Sequence, residues 1–371
     1  MDRMTGATTD TWRGASIRVI GLGGAGSNAV DRMVQAGARG VDFVAANTDA
    51  QALTGSEAPR KIVLGERLTK GLGAGGNPDV GAEAAERSRD RLVEVIGDAD
   101  LVFIAAGMGG GTGTGAAPVV ARVAREQGAL TIAVVTRPFT FEGSRRGNVA
   151  REGIERLREE VDTLVVVSND RLLDVVHERV SLDIAFRIAD EVLRQGIQGI
   201  SELVTRPGLI NLDFADVRSV LKGAGGALIS IGRGEGANRA EEAARMALGS
   251  PVLDIRSVHG ADGLLVNLTG GEDLTLAEVD SAMKMISQST MPHAEILFGA
   301  AIDPKMEGRV EITLIAAGLK LEGQERMPAA ASQGISLPFQ SSGLFGEKGT
   351  LTEVVPAFMR STPRVHAGWR S

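Results

Sequence analysis

The 371-residue chain carries 47 acidic residues against 40 Lys and Arg, a net charge of -7, with 43% apolar residues and no cysteine. That length accommodates two packed units of ordinary size, and the charge balance offers no broad positive field for nucleic acid. Without cysteine there is no disulfide framework, no thiolate nucleophile and no Cys-ligated zinc, and four scattered histidines (His177, His259, His293, His366) form no metal-ligand spacing. The opening MDRMTGATTDTWRG is polar and lacks the apolar core of a signal peptide, so residues 1–16 read as a flexible leader and the expected location is cytoplasmic.

From 17 to 176, short apolar runs alternate with longer mixed patterns: IRVI (17–20), FVAA (43–46), LVFIAA (101–106), LTIAVV (130–135) and TLVVVS (163–168). Continuous apolar runs suit strands covered on both faces, so the stretch reads as an open, Rossmann-like α/β sheet with its ligand beyond the carboxyl ends of the strands. GLGGAG (21–26) follows the first run, where glycines permit a tight turn and close approach to an anion at a helix N-terminus. Alone, this pattern also fits a dinucleotide cofactor, with Asp49 near the offset of a ribose acid, and it fits a purely structural turn. The run Gly107-Met-Gly-Gly110-Gly111-Thr112-Gly113-Thr-Gly115 follows LVFIAA and leads into a helix pattern, which makes it a nest of backbone donors with added hydroxyls. No GKS or GKT accompanies it, so backbone amides, a helix N-terminus and metal must meet the phosphate charge. A third glycine-rich turn, 71–77, either closes over a terminal phosphate or is simply a surface loop.

Residues 177–204 show long helical periodicity through Ile184, Ile188, Val192 and Leu193 and read as a central strut of about 40 Å. Beyond it, NLDFADV (211–217) sets Asp213 and Asp216 three apart, a compact acidic pair able to cap a helix or orient water. A second, smaller α/β unit over 205–319 has strand candidates ALISIG (227–232), VLDIRS (252–257), GLLVNL (263–268) and VEITLIAAG (310–318). Asn238 with Glu241, and Thr275 with Glu278, have capping-box spacing, and Val279, Met283 and Ile286 form a packing stripe. Residues 320–350 read as a flexible linker, and 351–371 as a partner-binding tail whose VVPAFMR either docks on another protein or packs back on the body. If the acids act on a phosphate held at the end of the first sheet, the strut puts them a domain away, and a second subunit must supply them head to tail.

GLGGAGSNAV (21–30), NTDAQAL (47–53), GMGGGTGTG (107–115), TRPFTFEG (136–143), VSNDRL (167–172) and NLDFADV, in this order, resemble the FtsZ family of bacterial tubulin relatives over roughly residues 15 to 318. The resemblance implies a tubulin/FtsZ-like fold and GTP or GDP with magnesium. It implies that Gly23, Gly24, Gly110, Gly111, Thr112 and Gly113 surround the phosphates, with Ala74 and Gly75 near the terminal one. Glu142 and Arg146 match ribose and phosphate contacts, Asn28, Asn169 and Asp190 match guanine-reading positions, and Phe186 lies against the base. Asp213 and Asp216, supported by Asn211, match the catalytic loop that enters the neighbouring subunit's pocket. The family would make the chain a GTPase activated by self-assembly into the cell-division ring at mid-cell. Its tail would bind membrane-tethering and regulatory division proteins, with direct membrane anchoring not expected. An NAD-dependent oxidoreductase and a non-hydrolysing nucleotide-binding filament remain the competing readings.

Overall fold

The computed structural model describes residues 15–173, 181–205, 208–210, 212–249 and 258–319. Along the chain run β1 (Ile17–Leu22), α1 (Gly23–Gln35), β2 (Val41–Asn47), α2 (Ala50–Thr54), β3 (Arg60–Val63), α3 (Glu66–Thr69), α4 (Pro78–Glu86), α5 (Arg89–Ile96), β4 (Leu101–Gly107), α6 (Thr112–Glu126), β5 (Leu130–Arg137), α7 (Ser144–Glu160), β6 (Thr163–Ser168) and α8 (Asn169–Leu173). There follow α9 (Leu182–Thr205), α10 (Phe214–Leu221), β7 (Gly225–Glu235), α11 (Arg239–Leu248), β8 (Gly263–Gly270), α12 (Leu276–Gln288), β9 (Glu295–Ile302) and β10 (Arg309–Leu319). Among the described residues no helix is long and apolar enough to cross a membrane.

The strands form one sheet of ten in the order β3-β2-β1-β4-β5-β6-β7-β10-β8-β9. The first six are parallel, and the order reverses between β1 and β4, whose register runs from Ile17 against Leu101 to Leu22 against Ala106. Side chains alternate across the pleat, which explains why the sequence runs are apolar throughout. Val19, Leu101, Phe103 and Ala105 join a core shared with α1 and α9, while Ile20, Leu22, Val102, Ile104 and Ala106 join a second core shared with α4, α6 and α7.

The helix read as a strut does join the two halves, and it is also a core element. It begins at Leu182, since residues 177–180 lie outside the described residues, and its 24 residues measure about 36 Å. Ile188, Leu193, Ile197 and Ile200 are buried in the first core, which also takes in Leu265 of β8 and Ile315 and Ala317 of β10. A Cβ at Gly199 would stand 2.8 Å from the Thr313 side chain, and one at Gly196 would stand 3.3 Å from both Val134 and Ile229. These small residues let the helix lie against strands of both halves, so α9 packs across the joint between them. The strands also join directly, with β7 continuing parallel from β6 through Thr163 against Gly225.

In the second half, α11 and α12 cover the face of the sheet opposite α9, and Ile286, Val279 and Met283 pack there as the stripe predicts. Thr275 and Glu278 form the expected capping box. Asn238 does not form one: its side chain makes no cap bond, and the adjacent Arg239 reaches across to the start of α12. Arg239, 5% exposed, forks onto Glu278 at 2.7 and 3.2 Å and also binds Asp273, which accepts the Gly308 N–H at 3.1 Å. These charge-assisted bonds from Arg239 hold the Glu278 carboxyl down at about 2. The expected strand VLDIRS falls outside the described residues, and the pattern did not reveal β3 or β9.

Candidate nucleotide site and acidic loop

Three glycine-rich turns meet at the carboxyl ends of β1 and β4, where the strand order reverses and an open α/β sheet offers its binding crevice. Gly23, at φ +68, starts α1, and a Cβ there would stand 3.1 Å from the Gly113 nitrogen, so the first two turns touch through backbone. A Cβ at Gly111 would stand 2.8 Å from the Ala74 Cβ and 2.9 Å from the Asn77 nitrogen, which brings the 71–77 turn onto the same nest. Gly109, at φ +99, lies against the backbone of Arg146. By contrast Gly24, Gly75 and Gly110 have open space where a side chain would be. Neither α1 nor α6 has a side-chain cap, so their first-turn N–H groups stay available. Two uncapped helix N-termini beside open glycine backbone form an anion site with no lysine in it.

The hydroxyls of Thr112 and Thr48 lie 2.6 Å apart. Among the described residues no group of three or more His, Asp or Glu could hold a metal. The paired hydroxyls of Thr48 and Thr112 are neutral oxygens of the kind a magnesium ion would take beside phosphate and water.

Beside the phosphate nest, Glu142 pairs with Arg146 at 2.7 Å and accepts the Phe139 N–H at 2.9 Å. Phe186 stands on α9 at 38% exposure with its ring edge-on to Phe139, 5.6 Å between centroids. One helical turn later Asp190 is only 7% exposed, and α1 reaches it with Asn28 at 3.4 Å and Arg32 at 3.5 Å. Burial pushes the Asp190 carboxyl up to about 6 against the opposing pull of Arg32 and Asn28. Asn169, at the start of α8, is buried with its Oδ1 lacking a hydrogen-bond partner. A half-exposed ring, a carboxylate and an unsatisfied amide oxygen together offer a platform and acceptors to a planar base rich in N–H groups.

Asp213 and Asp216 lie elsewhere. Asp213 caps α10 by accepting the Asp216 N–H at 2.8 Å, and Asp216 reaches back to the Asp213 N–H at 3.4 Å. Val217, Val220 and Leu221 bury α10 in the first core, the Leu221 carbonyl accepts the Thr163 hydroxyl, and Arg218 reaches the Gly128 carbonyl at 3.5 Å. Gly128 and Thr163 stand at the amino ends of β5 and β6, so the acids sit at the opposite pole of the sheet from the nest. The eight residues of β5 alone separate the two by about 25 Å. Just before the acids, Leu209 N–H donates to the Ala300 carbonyl of β9 at 2.7 Å and Ala300 N–H donates to Ile210 at 3.0 Å, clamping the loop to the sheet edge. Asn211 lies outside the described residues.

The structure therefore brings together Gly23, Gly24, Asn28, Ala74, Gly75, Gly110, Gly111, Thr112, Gly113, Glu142, Arg146, Asn169, Phe186 and Asp190, and leaves the two acids apart. Sequence reasoning missed Thr48, Phe139 and Arg32. The spacing of four between Asn28 and Arg32 on one helix face would have revealed the last. Asp49 is a helix cap, its carboxylate accepting the Ala52 N–H at 3.1 Å.

Fold and site define a nucleotide-binding α/β protein whose phosphate nest is built of backbone in place of a Walker lysine. Residues 16–177 match the family model for the GTPase domain of the tubulin/FtsZ family, and residues 225–320 match that for the FtsZ C-terminal domain. An empty FtsZ dimer from M. jannaschii is similar at 47% identity and TM-score 0.79, over 83% of this chain and 89% of that one. CetZ2 from Haloferax volcanii, a GTPγS-bound protofilament, shares the fold at 22% identity and TM-score 0.69, over 82% of this chain and 93% of that one. The chain belongs to the FtsZ family and carries its GTPase domain. This membership removes the NAD-dependent oxidoreductase reading.

Proposed function

We propose that this protein is a filament-forming cell-division GTPase whose catalytic site is completed only between subunits. The observation that carries the reading is the polar separation of the two half-sites: the nest lies at the carboxyl ends of the strands and the acid pair at their amino ends. Stacking subunits head to tail along the strand direction would bring the acids of one copy over the nest of the next, and a heterologous contact that does not close produces a filament.

In the composite site, the N–H groups of α1 and α6 and the backbone from Gly110 to Gly113 hold the phosphates, with Ala74 and Gly75 beside the terminal one. Glu142 and Arg146 bound the ribose side. Phe186, Asn28, Asn169 and Asp190 take the guanine. Magnesium, when bound, neutralises phosphate charge, which is most of what phosphoryl transfer requires of its surroundings. Asp213 and Asp216 of the adjoining copy orient the attacking water, with Asn211 supporting their loop. On this reading residues 17–176 are the GTP-binding domain, 177–204 the central helix and 205–319 the domain supplying the loop. Residues 320–350 are the linker, and 351–371 recruit membrane-tethering and regulatory partners at a cytoplasmic division site.

Mixing tests it. An Asp213→Ala subunit binds GTP but supplies no catalytic acid; a Gly111→Val subunit supplies the acid but holds no GTP. The mixture is expected to hydrolyse GTP well above either variant alone. A mixture no more active than the sum of its parts would contradict the shared site, and assembly without any phosphate release by the unaltered protein would favour a non-hydrolysing filament.

A further inference from the structure

Asp190 takes two protein contacts, from Asn28 Nδ2 and from Arg32 Nη2, and both fall on the same oxygen, Oδ2. Oδ1 accepts no hydrogen bond from the described residues. We propose that Arg32 is a positioning residue for base recognition: from α1 it keeps Asp190 ionised and fixed through Oδ2, leaving Oδ1 to accept from the guanine edge. The inference rests on the reading of Asp190 as a base-recognition residue and goes beyond it by assigning control of its charge to a residue outside the glycine loops.

The chemistry requires such a partner. Guanine presents N1–H and the 2-amino group as donors, and with Oδ2 taken by Asn28 and Arg32 they fall to Oδ1, which accepts far more strongly when the carboxylate is ionised than when it is protonated. Burial works against the ionised form, and Asp190 stands at about 6 even with Arg32 in place. Among the described residues, Arg32 is the one charge acting on it. Asp31, next to Arg32 on α1, is engaged by Ser56 and Glu57 at 2.6 and 2.7 Å. On α9 itself, Glu191 is held by Arg194 and Gln195, and Arg187 pairs with Asp183 at 2.9 Å. The α8 helix brings Asp170, bound by Thr140, and Arg171, and neither acts on the Asp190 carboxyl. From β5, Ile132 and Val134 present only apolar surface to this core.

The Arg32 guanidinium also has capacity to spare. Its Nε is buried without a partner, and its contact with Asp190 is a single long one. An arginine so placed can draw closer to a carboxylate that becomes fully charged, and a lysine, lacking the fork, replaces its charge but not its geometry.

The test is GDP affinity of the full chain between pH 5 and 8.5, measured by calorimetry on the wild type, Arg32→Met, Arg32→Lys and Asp190→Asn. Thermal melts of each variant confirm folding at every pH used. Titration of the GDP phosphate is common to all and cancels when each affinity is divided by that of Asp190→Asn. The wild-type ratio should break near pH 6, falling about tenfold per unit below it. In Arg32→Met the break should move up by about one unit or more, so affinity is lost near pH 6.5 and largely recovered at pH 8.5. Arg32→Lys should return the break toward the wild-type position. A folded Arg32→Met variant that loses affinity by one factor at every pH, or whose break stays in place, overturns the proposal. Asp190→Asn binding GDP as the wild type does at every pH would instead remove the base reading itself, and the proposal with it.

Discussion

The phosphate nest and the acidic loop, proposed as the two halves of one chemistry, are built by opposite means. The nest is made of backbone: its glycines are packed so tightly that added carbons at Gly111 and Gly113 would stand 2.8 and 2.6 Å from their neighbours, and its donors are helix N-termini. The acidic loop is made of side chains on a helix end whose own capping needs explain their spacing. The nest is recognisable as a binding site in one subunit. The loop stands apart from the nest, and the role proposed for it would be a property of the assembly. On the proposed reading, a protein divided in this way binds GTP alone and hydrolyses it only in company.

Substitutions should separate the halves. Asp213→Ala is expected to lower turnover at saturating GTP by two to three orders of magnitude, on the order of what loss of a key catalytic group costs, while GTP affinity measured on dilute subunits stays the same. Gly113→Ala should do the reverse: the new methyl meets the Gly107 carbonyl, and affinity should fall about ten- to a hundredfold before turnover is considered. Equal losses in both assays from either change would erase the distinction between the halves.

A second contrast concerns stability. Arg239→Met leaves Glu278 and Asp273 without their cation and should lower the urea midpoint of unfolding without changing GTP affinity, because the cluster lies far from the nest. The same cluster sets a pH dependence. With its carboxyl at about 2 in the folded chain and near 4.5 when unfolded, Glu278 contributes stability that is complete above pH 4.5 and lost as pH falls toward 2. Asp190 acts with the opposite sign, since its raised value makes the folded chain less stable as pH rises from 3.8 through about 6. Melts of Glu278→Gln and Asp190→Asn between pH 2 and 7 should each flatten one of these slopes.

Smaller effects follow at the clamp before the acids. Gly208 has the Ala300 carbonyl 2.4 Å from where a Cβ would sit, so Gly208→Ala should shift the loop and reduce turnover several-fold, again with GTP affinity unchanged. Smallest of all, Arg122→Ala removes surface ion pairs to Glu86 and Glu160, remote from both half-sites; it should cost less than about 1 kcal/mol and leave binding and turnover alone.

The five parallel strands read from sequence were legible because each is largely buried on both faces and mostly apolar. β3 escaped because Arg60 and Lys61 face solvent at the sheet's edge, and β9 because an edge strand rich in Gly and Ala, with half-exposed Ile296 and Leu297, shows no clear period. The periodicity of α9 was plain, but a strut and a buried fastener share one pattern; what distinguishes them is Gly196 and Gly199, whose close packing shows only in three dimensions. The nest was legible because glycine is required there by the backbone. For Arg32 the sequence offers only its spacing of four from Asn28, because the carboxylate it contacts is more than 150 residues away on another helix.

The most direct test of the shared site is to follow GTP hydrolysis and light scattering together across protein concentration. Turnover per subunit should be near zero below the concentration at which scattering appears and rise with assembly. Turnover per subunit that is the same at every concentration, in the absence of polymer, would contradict a site completed by the neighbouring subunit.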